Sequence, residues 1–151
     1  MRLSAKADYA VRAAVELAAA PDGPVKGETI AATQQISLKF LENILAELRR
    51  SGIVASRRGS DGGYWLAKPA DEVSIADVMR AVEGPLASVR GEAPERVQYA
   101  GAAQALPRVW IALRGSLRTV LEQVTLADVV AGDLPREVER LAENPEAWIT
   151  R

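Results

Sequence analysis

Cysteine and histidine are both absent from the 151 residues of this sequence. These two residue types supply the usual ligands of structural zinc and iron–sulfur clusters, and most nucleophile–base pairs of small hydrolases. A glycine-rich phosphate loop with its lysine is missing as well. Neighbouring carboxylates, such as Glu92 with Glu95, are expected on the solvated surface, because nothing in the sequence places them in a pocket. We therefore predict no catalytic residue, no metal and no cofactor.

Long apolar runs are also lacking. No run approaches the roughly 18 residues of a membrane helix, and no signal-peptide pattern opens the chain. Hydrophobic residues make up 48% of the sequence, which is ordinary for a globular chain with one core, or with a small domain and an appended helix. These features lead us to expect a cytoplasmic protein of bacterial type without a membrane partner.

The chain has little excess charge of either sign, with a formal net charge of −1. Taken alone, this value argues against a nucleic-acid partner. The charge is unevenly distributed, however: residues 36–68 contain six Lys or Arg and three acids, a local charge of +3. Attraction to phosphate needs a basic surface and not a basic protein, so this segment is the place to look for one.

The segment from Ser37 to Arg50 has the periodicity of an amphipathic helix. One face is apolar and predicted to be core, with Leu38, Leu41, Ile44, Leu45 and Leu48. The opposite stripe carries Lys39, Asn43, Ala46 and Arg50, bordered by Phe40 and Glu42. Ser37 is the expected N-cap, and Gly52 follows the basic end of the helix. Near the amino end of the helix, the outer face therefore carries polar side chains that can form hydrogen bonds with another molecule.

Two short apolar runs, Ile53 to Ala55 and Tyr64 to Leu66, predict a β-hairpin. Its tip consists of Arg57, Arg58, Gly59, Ser60, Asp61, Gly62 and Gly63. The glycines permit positive φ and let the main chain approach a phosphate, while the arginines remain charged at any physiological pH. Considered alone, the segment also fits an ordinary solvated hairpin. The helices that precede it favour nucleic acid.

A shorter helix is predicted from Glu28 to Gln34, followed by a turn through Gln35, Ile36 and Ser37. Helix, tight turn and helix is the order of the helix-turn-helix motif. In that motif the second helix places its amino-terminal side chains on base edges in the major groove. Together with the hairpin, the pattern predicts a winged helix-turn-helix that recognises DNA.

Two stretches of the chain carry a family resemblance, MRLSAKADYAVRAAVELA and ISLKFLENILAELRRSGIVASRRGSDGGYWLAKPADEVSIADVMRAVEG. They resemble the Rrf-two (Rrf2) family of bacterial transcription regulators, which includes an iron–sulfur cluster regulator and repressors that sense nitric oxide or control cysteine metabolism. The similarity is close over roughly residues 1–84. The later VWIALRGSLRTVLEQVTLADV resembles the family's dimer helix and the short helix after it.

The resemblance implies a homodimer, most simply a repressor, that binds an inverted-repeat operator in double-stranded DNA. Lys39, Phe40, Glu42 and Asn43 fall where relatives place operator-contacting side chains, and Arg58 falls on a wing arginine that enters the minor groove in some of them. The full predicted DNA-binding set is Lys39, Phe40, Glu42, Asn43, Arg50, Arg57, Arg58, Gly59, Ser60, Gly62, Gly63 and Tyr64.

Cluster-bearing relatives carry their cysteines in a loop between the wing domain and the dimer helix, where this chain has Ala87 to Gln98 and no cysteine. Some relatives also use an acid of the first helix, at the place of Asp8. Here Asp8, Arg12 and Glu16 have the spacing of exposed helix ion pairs. We therefore expect a cysteine-free branch of the family, controlled by a small molecule or a protein partner, with sulfur or cysteine metabolism as the regulon that the resemblance suggests.

A long helix is predicted from Leu106 to Val124. Its apolar residues step by three and four like a coiled-coil seam, and the predicted dimerisation residues are Leu106, Trp110, Leu113, Leu117, Val120 and Val124. Periodicity alone equally fits a helix packed on its own domain. The family resemblance favours the dimer.

Two capping patterns, Ser74 with Asp77 and Thr125 with Asp128, predict helices over about residues 75–83 and 126–131. The expected fold is mainly α with a small β wing. Its parts are a DNA-binding domain (1–84), a connecting loop (85–105), the dimerisation helix with the short helix after it (106–132) and a tail (133–151). A winged-helix module that binds proteins without specific DNA binding is the alternative function, because fold does not determine function.

Overall fold

A computed structural model describes residues 2–150 and confirms a mainly helical fold with one two-stranded antiparallel sheet. The elements in chain order are α1 (Ala5–Ala18), α2 (Gly27–Gln34), α3 (Leu38–Arg50), β1 (Val54–Arg57), β2 (Gly63–Leu66), α4 (Ile75–Glu83), α5 (Leu106–Leu121), α6 (Leu126–Ala131) and α7 (Arg136–Ala142). Within the described residues, no helix combines the length and apolarity that spanning a bilayer requires.

Helix α1 forms the centre of the core through a face of small residues. Its buried positions are Ala7, Ala10, Ala13, Ala14 and Leu17. Alanine side chains let neighbouring helices approach closely, and α1 packs against α3, α4 and α6. The helix begins at Ser4, whose hydroxyl accepts a hydrogen bond from the Ala7 amide at 3.0 Å.

Helix α3 buries the face that the periodicity predicts. Leu41, Ile44, Leu45 and Leu48 are each 0% exposed, whereas Leu38, in the first turn, is half-buried against the edge of the core. Ser37 occupies the N-cap position, but its hydroxyl makes no capping hydrogen bond. The polar side of this helix is therefore positioned by four leucine and isoleucine anchors and not by its cap.

Helices α4 and α6 begin side by side. Both capping boxes form, with Ser74 and Asp77 exchanging hydrogen bonds at 3.0 and 3.1 Å and Thr125 and Asp128 at 2.8 and 3.1 Å. The Leu126 amide also donates to the Val73 carbonyl at 2.9 Å, and Leu126 is 0% exposed in the core. Helix α6 thus packs with the DNA-binding domain, although the sequence analysis grouped it with the long helix.

Helix α5 ends at Leu121, three residues before the predicted end at Val124. The amide of Ile75 donates to the Val124 carbonyl at 2.9 Å, and Ser74 and Thr125 form a β-bridge. These contacts need extended backbone before the cap of α6, so the helix cannot continue. Helix α7 follows Pro135, which is its N-cap. Trp148 is 79% exposed, and its indole donates to the Ala142 carbonyl at 2.6 Å.

Candidate nucleic-acid interface

The predicted base-reading side chains lie together at the start of α3. Lys39, Glu42 and Asn43 are exposed, and Phe40 is 37% exposed. They occupy the first turn and a half of the helix, on the side away from the buried leucines. Their arrangement offers a cation, a carboxylate acceptor, an amide and an aromatic edge, which are the groups that discriminate base edges in a major groove.

Phe40 is held in place by α1. Its ring meets Tyr9 edge-to-face, with ring centroids 5.6 Å apart and an interplanar angle of 78°. The guanidinium of Arg12 lies 4.9 Å from the centroid of the same tyrosine ring. Such contacts contribute on the order of 1 kcal/mol each beyond their buried area. The orientation of Phe40 therefore depends on the first helix, which the sequence analysis did not connect with the interface.

Arg12 also fixes the turn of the helix-turn-helix. Its Nε donates to Oε1 of Gln34 at 3.1 Å, and another guanidinium nitrogen donates to the Gln34 carbonyl at the end of α2. Gln35, next in the chain, has a left-handed backbone with φ of 54°. The predicted pair of Arg12 with Asp8 forms at 3.1 Å, whereas Glu16 instead accepts from the Gln34 side chain. Asp8 is thus an ion-pair partner here.

The wing depends on two glycines whose roles are steric. A Cβ on Gly62 would lie 2.0 Å from the carbonyl oxygen of Arg57, and one on Gly63 would lie 2.6 Å from the carbonyl oxygen of Val25. Gly63 also has φ of 149°, a conformation that side chains disfavour. Gly62 is buried and Gly63 half-buried. Both residues shape the hairpin, while Gly59, exposed with φ of 103°, forms its tip.

The wing is joined to the start of α2. Val25 and Tyr64 exchange two backbone hydrogen bonds of 2.8 Å, so Val25 extends the hairpin as a third, one-residue strand. Lys26, the next residue, donates from Nζ to the carbonyl oxygens of Gly59 at 3.0 Å and Ser60 at 2.7 Å. Lys26 was missed by sequence reasoning, since its partners are more than thirty residues away and no local pattern indicates them.

The arginines of the wing and of the end of α3 differ in their hydrogen bonds to the rest of the protein. Arg57 donates to the Asp61 carbonyl at 3.1 Å, across the turn, while Arg58 is exposed on the tip. Arg49 donates to the Ser56 hydroxyl at 3.2 Å, and Arg50 is exposed at the end of α3. The carboxyl end of α3 and the tip of the wing thus both present arginine cations. Tyr64 is half-buried against the core, which makes it a support of the wing.

The predicted dimerisation residues do not share one environment. Leu113 is 38% exposed, whereas Leu106, Trp110, Leu117 and Val120 are half-buried on their own chain, and Val124 is buried at 6% exposure. The Trp110 indole donates to the Tyr99 hydroxyl at 3.1 Å. Val109 and Ile111, which the sequence analysis did not select, are 52% and 39% exposed. None of the residues of α5 is buried, so the helix keeps an apolar surface beyond its own domain.

A helix-turn-helix with a β-hairpin joined to its first helix defines a winged helix-turn-helix protein of the DNA-binding class. The family model described as "Rrf2: Iron-dependent Transcriptional regulator" matches residues 3–132. The chain belongs to the Rrf2 family of transcriptional regulators, which is not a family of enzymes.

Individual relatives agree with this assignment. The HTH-type transcriptional regulator Rv1287 of Mycobacterium tuberculosis is 53% identical over 148 residues, covering 97% of this chain and 92% of that protein. Among solved structures, CymR, the global cysteine regulator of Bacillus subtilis, aligns with a TM-score of 0.74 at 32% identity, over 87% of this chain and 98% of that one. IscR of T. potens aligns with a TM-score of 0.69 at 30% identity, over 100% of this chain and 93% of that one.

The family description mentions iron, but the residues present do not fit an iron–sulfur cluster. The whole chain lacks cysteine and histidine, and the described residues contain no group of three acids that could hold a metal ion. In the connecting loop the carboxylate of Glu95 is already paired with Arg114 at 2.7 Å. Cluster iron requires thiolate or imidazole ligands, so this loop offers the wrong donors.

We expect the purified protein to remain colourless after anaerobic incubation with ferrous iron and sulfide. The reason is the missing thiolate donor set, since carboxylates alone do not retain a cluster. Visible absorption after desalting measures this directly. A stoichiometric brown chromophore that stays with the protein through desalting would contradict the argument.

Proposed function

We propose that this regulator binds an inverted-repeat operator as a homodimer and represses the genes beside it. The observation that supports the proposal is the fixed wing tip: Lys26 holds the carbonyls of Gly59 and Ser60, so that Arg58 projects from a supported turn in the same unit as the start of α3. A helix in the major groove and a basic wing beside it would contact adjacent parts of one duplex.

A dimer follows from the limits of one such unit. One recognition helix contacts few base pairs, and a two-fold axis doubles the contacts on a palindromic site. Helix α5 offers the surface for that axis, because it carries exposed apolar side chains at Val109 and Leu113, one turn apart on one face. Residues 85–105 connect this helix to the DNA-binding domain, so association and DNA binding would be coupled through the loop.

Control by a small molecule or a partner protein is the proposed switch, since the cluster ligands are missing. The structural similarity to the global cysteine regulator CymR supports a regulon in sulfur or cysteine metabolism. A cytoplasmic location accords with a role on DNA. The alternative, a module that binds proteins and no specific DNA, predicts equal affinity for every duplex of the same length.

Arg58→Ala should weaken operator binding by roughly 1 to 3 kcal/mol and relax the preference at the step that the arginine contacts, if the side chain reaches a base. Binding is measured by fluorescence anisotropy on a genomic fragment recovered by pull-down, and on a scrambled duplex, at several salt concentrations. Arg136→Ala, an exposed arginine at the start of α7, is the matched control and should bind as the parent does.

Equal affinity of Arg58→Ala and parent for matched and scrambled duplexes would reject the proposed role of the wing. Parent protein that binds every duplex equally would reject specific recognition altogether and favour the alternative. A salt slope that is unchanged by Arg58→Ala, with a loss confined to one base step, would place the arginine on a base and not on a phosphate.

A further inference from the structure

A cavity of about 390 Å³ opens between the end of α4, the connecting loop and the middle of α5. Three arginines line it, Arg80 on α4 and Arg114 and Arg118 on α5. The remaining wall is made mostly of small and apolar residues of the loop, including Pro85, Leu86 and Pro94. Its volume lies at the lower end of the range for small-molecule sites, roughly 300 to 1,000 Å³.

The three arginines are brought together by the fold. Arg114 and Arg118 are four residues apart on α5 and thus lie on one face, one turn from each other. Arg80 reaches the same space from α4 and pairs with Glu122, the residue that follows α5, and its guanidinium also lies 3.7 Å from the Asp77 carboxylate. Arg118 Nε lies 3.6 Å from the carboxylate of Glu122. One glutamate therefore serves two guanidinium groups. The Arg114 side chain is the most enclosed of the three, at 18% exposure.

The lining of the cavity is cationic: among the described residues it contains one acid, Glu92, and three arginines. The acids that pair with the arginines, Asp77, Glu95 and Glu122, are not part of that wall, and their side chains are 47%, 52% and 43% exposed. Exposed ion pairs of this kind contribute little to stability, so a guanidinium can exchange such a partner at small cost.

The protein's own contacts indicate which chemistry the arginines accept. The pKa of Glu95 is lowered by a backbone hydrogen bond and by the hydrogen bond from Arg114, so this guanidinium already stabilises a charged carboxylate. Guanidinium groups bind carboxylate and phosphate oxygens in the bidentate geometry that a lysine cannot offer. A second cavity, lined by Trp110, Leu113 and loop residues that include Arg90, is mostly apolar and contains the exposed leucine of the predicted dimer seam. With one arginine against three, it is less suited to an anion.

We propose that the arginine-lined cavity binds a small organic anion through its carboxylate or phosphate oxygens, and that this anion is the effector of the repressor proposed above. The inference rests on that proposed function for its regulatory meaning, but the binding site itself does not. Arg80 belongs to a helix packed on α1 and α3, while Arg114 and Arg118 belong to α5. An anion held between them links the DNA-binding domain to the helix of the dimer.

The test uses the full-length protein without DNA, titrated with succinate and with inorganic phosphate at constant ionic strength set by chloride. Succinamide, which has the shape of succinate without its charge, is the control ligand. We expect saturable binding of at least one of the two anions, with arginine Nε–Hε resonances of Arg114 and Arg118 shifting in NMR spectra. Arg108, exposed on the same helix and outside the cavity wall, should not shift.

Variants then locate the site. Arg114→Gln and Arg118→Gln should each lower the affinity for the anion at least about tenfold, as expected for loss of a charge-assisted hydrogen bond of roughly 1.5 kcal/mol or more. Arg108→Gln should leave its affinity unchanged. Should a glutamine variant fold poorly, the resonance shifts in the unmodified protein still decide the question.

Three results would overturn the proposal: no saturable binding of either anion up to millimolar concentrations, shifts of equal size at Arg108, or full affinity in both cavity variants. Operator binding is measured separately on the same samples. Anion binding that fails while operator binding is intact rejects the cavity alone, and operator binding that fails while the anion binds rejects the proposed function.

Discussion

Leu113→Glu should convert the proposed dimer into a monomer of 16.2 kDa. Leu113 is 38% exposed on the single chain and lies on the predicted seam, with Val109 one turn before it. In a symmetric dimer each substitution removes two leucines from the interface. Full burial of a leucine stabilises by about 1.5 to 3 kcal/mol, so the exposed part of two Leu113 side chains accounts for roughly 1 to 2 kcal/mol. Two carboxylates placed in the apolar seam add a desolvation cost, and we expect the dissociation constant to rise more than about a hundredfold.

Ile111→Glu is the matched control for this prediction. Ile111 is 39% exposed on the same helix, nearly the same as Leu113, but a residue two positions away points about 200° around the helix axis. The Ile111→Glu variant should therefore remain dimeric. Sedimentation equilibrium gives the mass of both variants, and circular dichroism checks that both remain helical.

Operator binding provides the second measurement for the seam. A monomer loses the second half-site, so Leu113→Glu should bind the full palindrome no better than one half of it. If Leu113→Glu stays dimeric while Ile111→Glu dissociates, the dimer forms through the face of α5 that carries Ile111, and the seam prediction is wrong. If both remain dimeric, α5 does not hold the dimer.

The helices could be predicted because their signals are local. Four of the five predicted core positions of α3 are fully buried, and both capping boxes form where the spacing of Ser74 with Asp77 and Thr125 with Asp128 places them. Periodicity and capping depend on residues three or four apart, so they survive without knowledge of the tertiary fold. The bounds of α4 and α6 agree with the prediction to the residue.

The supports of the interface could not be predicted in the same way. Lys26 contacts the wing tip across 33 and 34 residues, and Arg12 contacts Gln34 across 22. No periodicity encodes such pairs. Val124 is an example in which a local pattern gave the wrong helix end. It continues the apolar spacing of α5, but it lies outside the helix and is buried beside the bridge of Ser74 with Thr125. Tertiary contacts determine where that helix ends, and the apolar spacing of the seam carries no information about them.

Gly62→Ala should disable the wing while leaving the helical core folded. The added Cβ would lie 2.0 Å from the carbonyl oxygen of Arg57 and 2.8 Å from the carbonyl carbon of Arg58, and both contacts are with backbone, which cannot rotate away. The turn must therefore open, at a cost of about 1 to 3 kcal/mol or more. The hydrogen bond from the Gly62 amide to the Gly59 carbonyl, 3.0 Å long, is the first contact that such an opening removes.

The consequence for DNA binding follows from Lys26. Its two hydrogen bonds end on the carbonyls of Gly59 and Ser60, so a displaced turn also loses the tether that supports Arg58. We expect operator affinity to fall by at least about tenfold, the equivalent of 1.4 kcal/mol, together with a lowered Tm and an unchanged far-ultraviolet helix signal. Gly23→Ala is the control, because nothing lies within 4 Å of the Cβ added there. If Gly62→Ala matched Gly23→Ala in both Tm and operator affinity, the wing tip would not be held by these contacts, and the role assigned to Lys26 would fall with it.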